Sequence, residues 1–403
     1  MNKRVVVTGL GAVTAIGIGK DAFWKNLIKG RSGISKVSLF DTSRFKCHNG
    51  GEIKDFEPGE FIPKRAIRFY GRASQFAIAA TKLALSDARL TLSELHGRQA
   101  SVIIGTTMAE SNVLDISCDS FLRNKWKEVT NNLLISIFSP SIPQNIGCFF
   151  GVKNTNVLLP NACGAGNFTI GYGFDLIRKG EADVVIAGGS EALSRVAYQG
   201  FNRLYAMSPT VCSPFDKNRK GMLLGEGAGI LILESFESAR RRKASVYAEI
   251  LGYGMSCDAH PMTIPKKEGV KQAMEKAIKN SQLSLHEIDY ISAHGTGTVA
   301  NDKTESAAIK ELFGTLTKNI PVSSIKSMLG HSMGAASSLE AIACCLALQQ
   351  GIIPPTINFK TPDPECDIDC VPNKARKTKL TIALNNGFAF GGNNCCTIIK
   401  NLL

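Results

Sequence analysis

Short apolar runs alternate along this chain with stretches whose apolar positions recur every three or four residues. "RVVVTGLG" and "ASVIIGT" are of the first kind. So are "DVVIAGG", "AGILILES", "DYISAHG" and "LTIALNNG", which glycine bounds. Unbroken apolar runs of this length predict strands buried on both faces, the habit of parallel sheets. Between them, "RASQFAIAATKLALSDA", "GNFTIGYGFDLIRKG", "GVKQAMEKAIKN", "KTESAAIKELFG" and "AASSLEAIACCLALQQG" predict helices, several of which stop at a glycine suited to a C-cap. The alternation predicts an α/β fold with largely parallel sheets.

One stretch is echoed later in the chain. "ALSDARLTLSELHGRQASVIIGTT" and "AIKNSQLSLHEIDYISAHGTGT" both run from a helix through L-x-L-x-E into a strand ending in Gly-Thr. Leu90, Leu92 and Glu94 match Leu283, Leu285 and Glu287 in spacing. The echo predicts two similar halves divided within the stretch 240–249, namely 1–246 and 247–403. A site between them would lie where strand ends from both halves converge.

Composition narrows the class. The chain has 403 residues, 44% hydrophobic and 20% charged, enough for a sizeable core. No apolar run reaches the ~18 residues of a membrane span. The start, "MNKRVVVTGLGAVTAIG", has the basic and apolar parts of a secretory signal but no convincing cleavage site, and it suits a strand and turn. Twelve cysteines, many in apolar contexts, then predict reduced thiols in a cytoplasmic protein. "CDIDC" (Cys366, Cys370) lacks a second Cys/His pair at zinc spacing, so no metal is expected. The net charge of +13 favours an acidic partner. Its basic residues are scattered without a nucleic-acid motif, which points away from nucleic acid. They concentrate at Lys64, Arg65, Arg68 and Arg72, and again at Arg123, Lys125 and Lys127, which fits docking of an acidic carrier protein.

Three constellations carry candidate chemistry. Cys163 in "VLLPNACGAGNF" sits at a strand-to-helix turn among small residues. A helix N-terminus there is expected to lower the thiol pKa, and the turn to aim backbone N–H groups at a developing oxyanion. His294 in "SAHGTGT" follows a strand directly, with Thr296 and Thr298 beside it. Lys326 and His331 bracket a glycine turn in "SSIKSMLGHSMGAASSLEA". One cysteine with two histidines points to acyl transfer followed by carbon–carbon chemistry, since a Cys–His hydrolase needs only one histidine. "TGLGAVTAIG" has a G-x-G after a strand, but Thr14 stands where a dinucleotide fold needs its third glycine.

With these residues in hand, the chain resembles the condensing enzymes, the β-ketoacyl-acyl-carrier-protein synthases of the elongating type II class. The ordered set "NACGAG", "HGTGT…ND…E", "IKSMLGH…GAA" and "FGGN", with "FDKNRKGMLLGEGAGILILE", spans nearly the whole chain. The resemblance implies the thiolase fold, a duplicated α/β unit in five α-β-α-β-α layers, normally dimeric. It implies that Cys163 takes an acyl chain from the phosphopantetheine arm of an acyl carrier protein. His294 and His331 would promote decarboxylation of a carrier-bound malonyl group. Lys326, with Glu305, would order the site, and the N–H groups of Cys163 and Phe390 would form the oxyanion hole. Thr296 and Thr298 would contact the pantetheine arm. Met108 and Phe388 would line the substrate pocket. Lys64, Arg65, Arg68, Arg123 and Lys125 would dock the carrier. No bound cofactor or metal is implied.

Several positions depart from the usual motifs. Gly164 follows the cysteine where Thr or Ser is usual, Ala389 and Asn393 alter the gate loop, and Lys220 and Glu226 alter "KGMLLGEG". They point towards a specialised pathway, such as a type II polyketide system in which an active ketosynthase pairs with a cysteine-less chain-length subunit, although the motifs do not separate polyketide from fatty-acid elongation. Cys163 marks this chain as the active member. A coenzyme A-dependent thiolase is the alternative class. It would carry a second catalytic cysteine in a C-x-G loop, which Cys395 and Cys396 do not form.

Overall fold

Ten strands carry the fold, five from each half. A computed structural model describes residues 3–125, 127, 129, 134–137 and 141–402. In the first half they are β1 (Val5–Thr14), β2 (Ala100–Gly105), β3 (Asn156–Leu159), β4 (Val184–Glu191) and β5 (Gly227–Ser235). In the second they are β6 (Ala248–Cys257), β7 (Tyr290–Ser292), β8 (Val322–Ser323), β9 (Ile382–Phe388) and β10 (Asn393–Lys400).

The hydrogen-bonded order is β3-β2-β4-β5-β1 in one half and β8-β7-β9-β10-β6 in the other. Equivalent neighbours run in the same relative direction in both, so the topology itself is repeated. The two sets join at one edge, where Val5–Val7 pair with Ile250, Glu249 and Ala248.

The sequence echo has a local cause. Thr91 and Glu94 form a capping box, with the Thr91 N–H donating to the carboxylate at 2.9 Å. Ser284 and Glu287 repeat it, again at 2.9 Å. Each box starts the short turn that feeds β2 or β7.

Helices form the other layers. The principal ones are α1 (Arg72–Asp87), α2 (Ala165–Lys179), α3 (Lys267–Asn280), α4 (Val299–Phe313) and α5 (Ala336–Gln350). The outer face of the first sheet is covered by α1 and that of the second by α3, against which α4 packs. Between the sheets, α2 and α5 touch strands of both halves. This makes five layers, α-β-α-β-α. Helix α5 is buried from Ala336 to Leu348, which explains why "AASSLEAIACCLAL" is apolar or small at every position but Glu340. Gly180 and Gly351 cap α2 and α5 in the left-handed conformation, as their positions in the sequence predict.

One expectation needs correction. The sheets are mixed, with parallel pairing only at β2–β3, β2–β4, β7–β8 and β7–β9. The others are antiparallel, including β4–β5, β5–β1 and β9–β10. Burial on both faces, not strand direction, produces an unbroken apolar run, and β1, β2, β4 and β5 are buried at every position. The four residues between β9 and β10 are too few for a parallel crossover.

The G-x-G of the first strand is also explained. Gly11 lies inside β1, and a Cβ there would stand 1.9 Å from the Ala80 carbonyl of α1. The glycine serves strand-on-helix packing, not a phosphate turn. Among the described residues no helix is long and apolar enough to cross a membrane.

Candidate active site

The Cys163 turn lies between β3 and α2. Ala162 has φ +47° and opens a single 3₁₀ turn, Ala162–Gly164, after which α2 begins at Ala165. A left-handed alanine costs on the order of 1–3 kcal/mol and persists only where the surroundings enforce it. Cys163 is buried in this turn and lines a cavity with His294, His331 and Phe390. The backbone N–H groups of Phe390 and of Cys163 itself act on its sulfur electrostatically, favouring the thiolate.

The expected low thiol pKa is not found. Burial pushes Cys163 up to about 11, against the Lys326 charge and these two N–H groups, which pull it down. A helix N-terminus is visible in sequence. The dryness that outweighs it comes from both halves closing around the sulfur.

The histidines come from the other half. His294 lies two residues beyond β7, and its backbone is clasped from α4. The Glu305 carboxylate accepts the N–H groups of His294 and Gly295, both at 2.8 Å, and Asn386 Nδ2 at 3.1 Å. Lys326 Nζ donates to the His294 carbonyl at 2.7 Å and stands 3.4 Å from its Nδ1. His331 donates its N–H to the Leu223 carbonyl at 2.6 Å, and its Nδ1 accepts the Met333 N–H at 3.2 Å. The two rings meet edge to face, centroids 5.3 Å apart.

These contacts assign the tautomers. Each Nδ1 faces a donor, so each proton sits on Nε2. His331 Nε2 is buried without a protein partner. Both imidazoles are held well below the ordinary histidine range. Burial is the main cause for each, followed by the Lys326 charge and, for His294, by His331. The site therefore holds neutral donors.

Lys326 needs a carboxylate, and Glu305 is not it. The partner is Glu340 of α5, in direct ion-pair contact. Burial pushes Glu340 up to about 7, and the lysine charge opposes that rise. Glu305 acts on the backbone beneath His294 instead. Glu340 went unnoticed in the sequence, although it is the one charged residue in "AASSLEAIACCLAL". Glu191, the last residue of β4, was also missed. It accepts the N–H groups of Thr107, Met108 and Gly334, tying the loop after β2 to the turn after His331. Burial raises it to about 7.

Other predicted residues divide into two groups. Thr296, Thr298, Phe388 and Phe390 line the Cys163 cavity. The threonine hydroxyls are 2.9 Å apart, and Phe388 lies edge-on to His294. Met108 is not among the cavity's lining residues. It packs against the buried cluster that includes Tyr198, Met222 and Met333, and Met222 and Phe201 reach the cavity. In the gate loop the left-handed positions are Gly391 and Gly392, at φ +84° and +72°, so alanine at 389 meets no such demand. Glu226 is structural, paired with Arg72 and accepting the N–H groups of Ile53 and Leu193. Lys64, Arg65, Arg68, Arg123 and Lys125 are all exposed. Arg68 and Arg123, from the two basic stretches, line one surface cleft.

Residues 2–239 match the model of the β-ketoacyl synthase N-terminal domain, and residues 247–360 that of its C-terminal domain. A Synechocystis protein named 3-oxoacyl-[acyl-carrier-protein] synthase 2 is 40% identical over 99% of this chain and 98% of its own. Among solved structures, the ishigamide ketosynthase/chain length factor superposes at a TM-score of 0.96 with 43% identity, each chain covered fully. A type II polyketide ketosynthase, bound to a hexaketide and in complex with its acyl-carrier protein, superposes at 0.92 with 32% identity and full coverage.

The tautomer assignment makes a spectroscopic prediction. Ring ¹⁵N NMR should find both His294 and His331 as neutral Nε2–H forms at pH 6, where an ordinary histidine with a pKa of about 6.5 is mostly protonated. A midpoint near 6.5 for either ring would contradict the assignment.

Proposed function

Because this chain belongs to the β-ketoacyl synthase family, whose members have the thiolase fold, we propose that it is a carrier-dependent condensing enzyme. It joins an acyl group held on Cys163 to a malonyl unit on an acyl carrier protein, with loss of CO2. The observation that carries this reading is one cavity holding a buried thiol and two neutral imidazoles, with His331 Nε2 buried and without a protein partner.

The chemistry follows from those positions. The Cys163 sulfur attacks the thioester carbonyl of the incoming acyl carrier. Its proton ends on the departing pantetheine thiol, so a thiol protonated at rest loses nothing in the balance. The tetrahedral oxyanion is met by the N–H groups of Cys163 and Phe390, the same groups that face the sulfur at rest. A malonyl carrier then enters past Thr296 and Thr298. Its C–C bond to the carboxylate breaks, CO2 leaves, and the electron pair passes into an enolate whose oxygen accepts from both Nε2–H groups. The enolate carbon attacks the acyl-Cys163 carbonyl. The C–S bond breaks, the released Cys163 thiolate takes up a proton from solvent to restore the resting thiol, and a 3-oxoacyl carrier leaves. Neutral donors suit this step because a cationic imidazole would instead hold the carboxylate that must depart. The half 1–246 thus supplies the nucleophile, and the half 247–403 the decarboxylation machinery.

The product serves fatty-acid or polyketide elongation. The likeness to the ishigamide ketosynthase/chain length factor and to the polyketide ketosynthase supports the second. In either, the enzyme works as a dimer, with an identical chain or with a chain-length-factor-like homologue. A thiolase reading is disfavoured because Cys395 and Cys396 are fully buried within β10, away from the Cys163 cavity.

Two predictions test the roles. Cys163→Ala should gain no acyl mass on incubation with acyl carrier, and continued labelling would refute the nucleophile. His331→Ala should slow malonyl-carrier decarboxylation about 100-fold while acyl loading changes little, since one donor to a developing oxyanion is worth that much; equal loss of both would argue against its role. For docking, Lys64→Glu with Arg65→Glu should weaken carrier binding strongly at low salt and less at high salt. Unchanged affinity would move the carrier site elsewhere.

A further inference from the structure

Asn167 sits one helical turn beyond Cys163, fully buried in α2. All four hydrogen-bonding positions of its amide are used. Nδ2 donates to the Asn385 carbonyl at 3.0 Å and to the Cys395 carbonyl at 2.9 Å. Oδ1 accepts from Asn385 Nδ2 at 2.8 Å and from Thr397 Oγ1 at 3.2 Å. Two carbonyls on one side and two donors on the other fix which end of the amide is which. Its backbone N–H donates to Ser337 Oγ of α5 at 3.0 Å, and Asn385 Nδ2 also reaches the Ser337 carbonyl at 2.9 Å.

The partners share one feature. Asn385 and Thr397 are directly opposite each other in the β9–β10 hairpin, as are Gly387 and Cys395. The loop of that hairpin carries Phe390, whose N–H faces the Cys163 sulfur. One amide therefore holds both arms of the hairpin and stands a single helical turn from the nucleophile. The surfaces are in close contact above it. A Cβ on Gly387 would lie 3.3 Å from Gly164 Cα and 3.1 Å from Asn167 Nδ2. Nothing in this amide reaches the histidines directly. Those are set by Glu305, Lys326 and the Leu223 carbonyl.

We propose that Asn167 is a positioning residue that fixes the separation between the Cys163 sulfur and the Phe390 N–H, and so sets the oxyanion hole for acyl transfer. This rests on Cys163 being the nucleophile. A buried side chain that satisfies every partner resists displacement, because each orphaned group would cost its desolvation. Misplacing an oxyanion donor penalises the tetrahedral step, whereas decarboxylation draws its stabilisation from the imidazoles.

The test compares the two half-reactions. Asn167→Leu keeps the branching and heavy-atom count of the side chain, at a larger volume, and removes all four bonds; Thr397→Val removes one. Folding is checked by thermal melting. Acylation is followed by intact-protein mass spectrometry with acyl carrier, and decarboxylation by CO2 release from malonyl carrier without primer. Asn167→Leu should acylate about 10–100-fold more slowly, with decarboxylation within about threefold of the parent. Thr397→Val should lose about threefold in acylation alone. Parallel loss of both half-reactions in folded Asn167→Leu, or unchanged acylation, would overturn the proposal. Should Asn167→Leu fail to fold, Thr397→Val decides: selective loss supports the role and unchanged acylation overturns it. Failure of the parent enzyme to acylate Cys163 would instead refute the nucleophile.

Discussion

The Lys326 charge is the constraint on which the site depends. It is buried, and three things follow from one ammonium group. It holds the His294 carbonyl, it adds to burial in holding both imidazoles neutral, and it draws down a thiol that burial would otherwise raise further. Such a charge is tolerated inside a protein only with a paired counterion, and Glu340 supplies it from the central helix. Removing one partner of a buried pair typically costs about 3–5 kcal/mol, so the lysine and the glutamate stand or fall together. The site is organised from behind, by a pair that need not touch substrate.

Duplication explains how that pair reaches its targets. The two halves share a strand order, and each contributes one helix to the layer between the sheets. Helix α2 starts beside Cys163, and α5 starts just after His331 and carries Glu340. Cys163 before α2, His331 before α5, His294 beyond β7 and Phe388 at the end of β9 line the same cavity, so one half brings the thiol and the other the two imidazoles. Neither half holds the constellation alone. The amide of Asn167 and the carboxylate of Glu191 then tie the two together across the middle.

Much of this was legible in the chain. Cys163, His294, Lys326 and His331 are marked by small-residue turns after strand or helix patterns, because turns at element ends are what expose a side chain to a cleft. The repeat was visible because capping boxes are local, with donor and acceptor three residues apart at Thr91–Glu94 and Ser284–Glu287. What failed was non-local. Strand direction leaves no mark on a run buried on both faces. The ion-pair partner of Lys326 leaves no local mark, because only the packing of α5 brings Glu340 to it, while Glu305 sits beneath the His294 backbone. The thiol was misjudged for the same reason: its helix is local, whereas its burial comes from both halves.

The departures from the usual motif now have a physical setting. Gly164 faces Gly387 across a contact with no room for a larger side chain without a shift, and Asn167 anchors the hairpin that carries the gate. The central claim is that one cavity both accepts the acyl group and extends it. Single-turnover mass spectrometry tests it directly, with enzyme first loaded from acyl carrier and then given malonyl carrier. The account predicts an acyl increment on Cys163 that disappears as a 3-oxoacyl carrier two carbons longer than the loaded acyl group appears. An acyl increment on another residue, or release of free acid in place of the extended carrier, would contradict it.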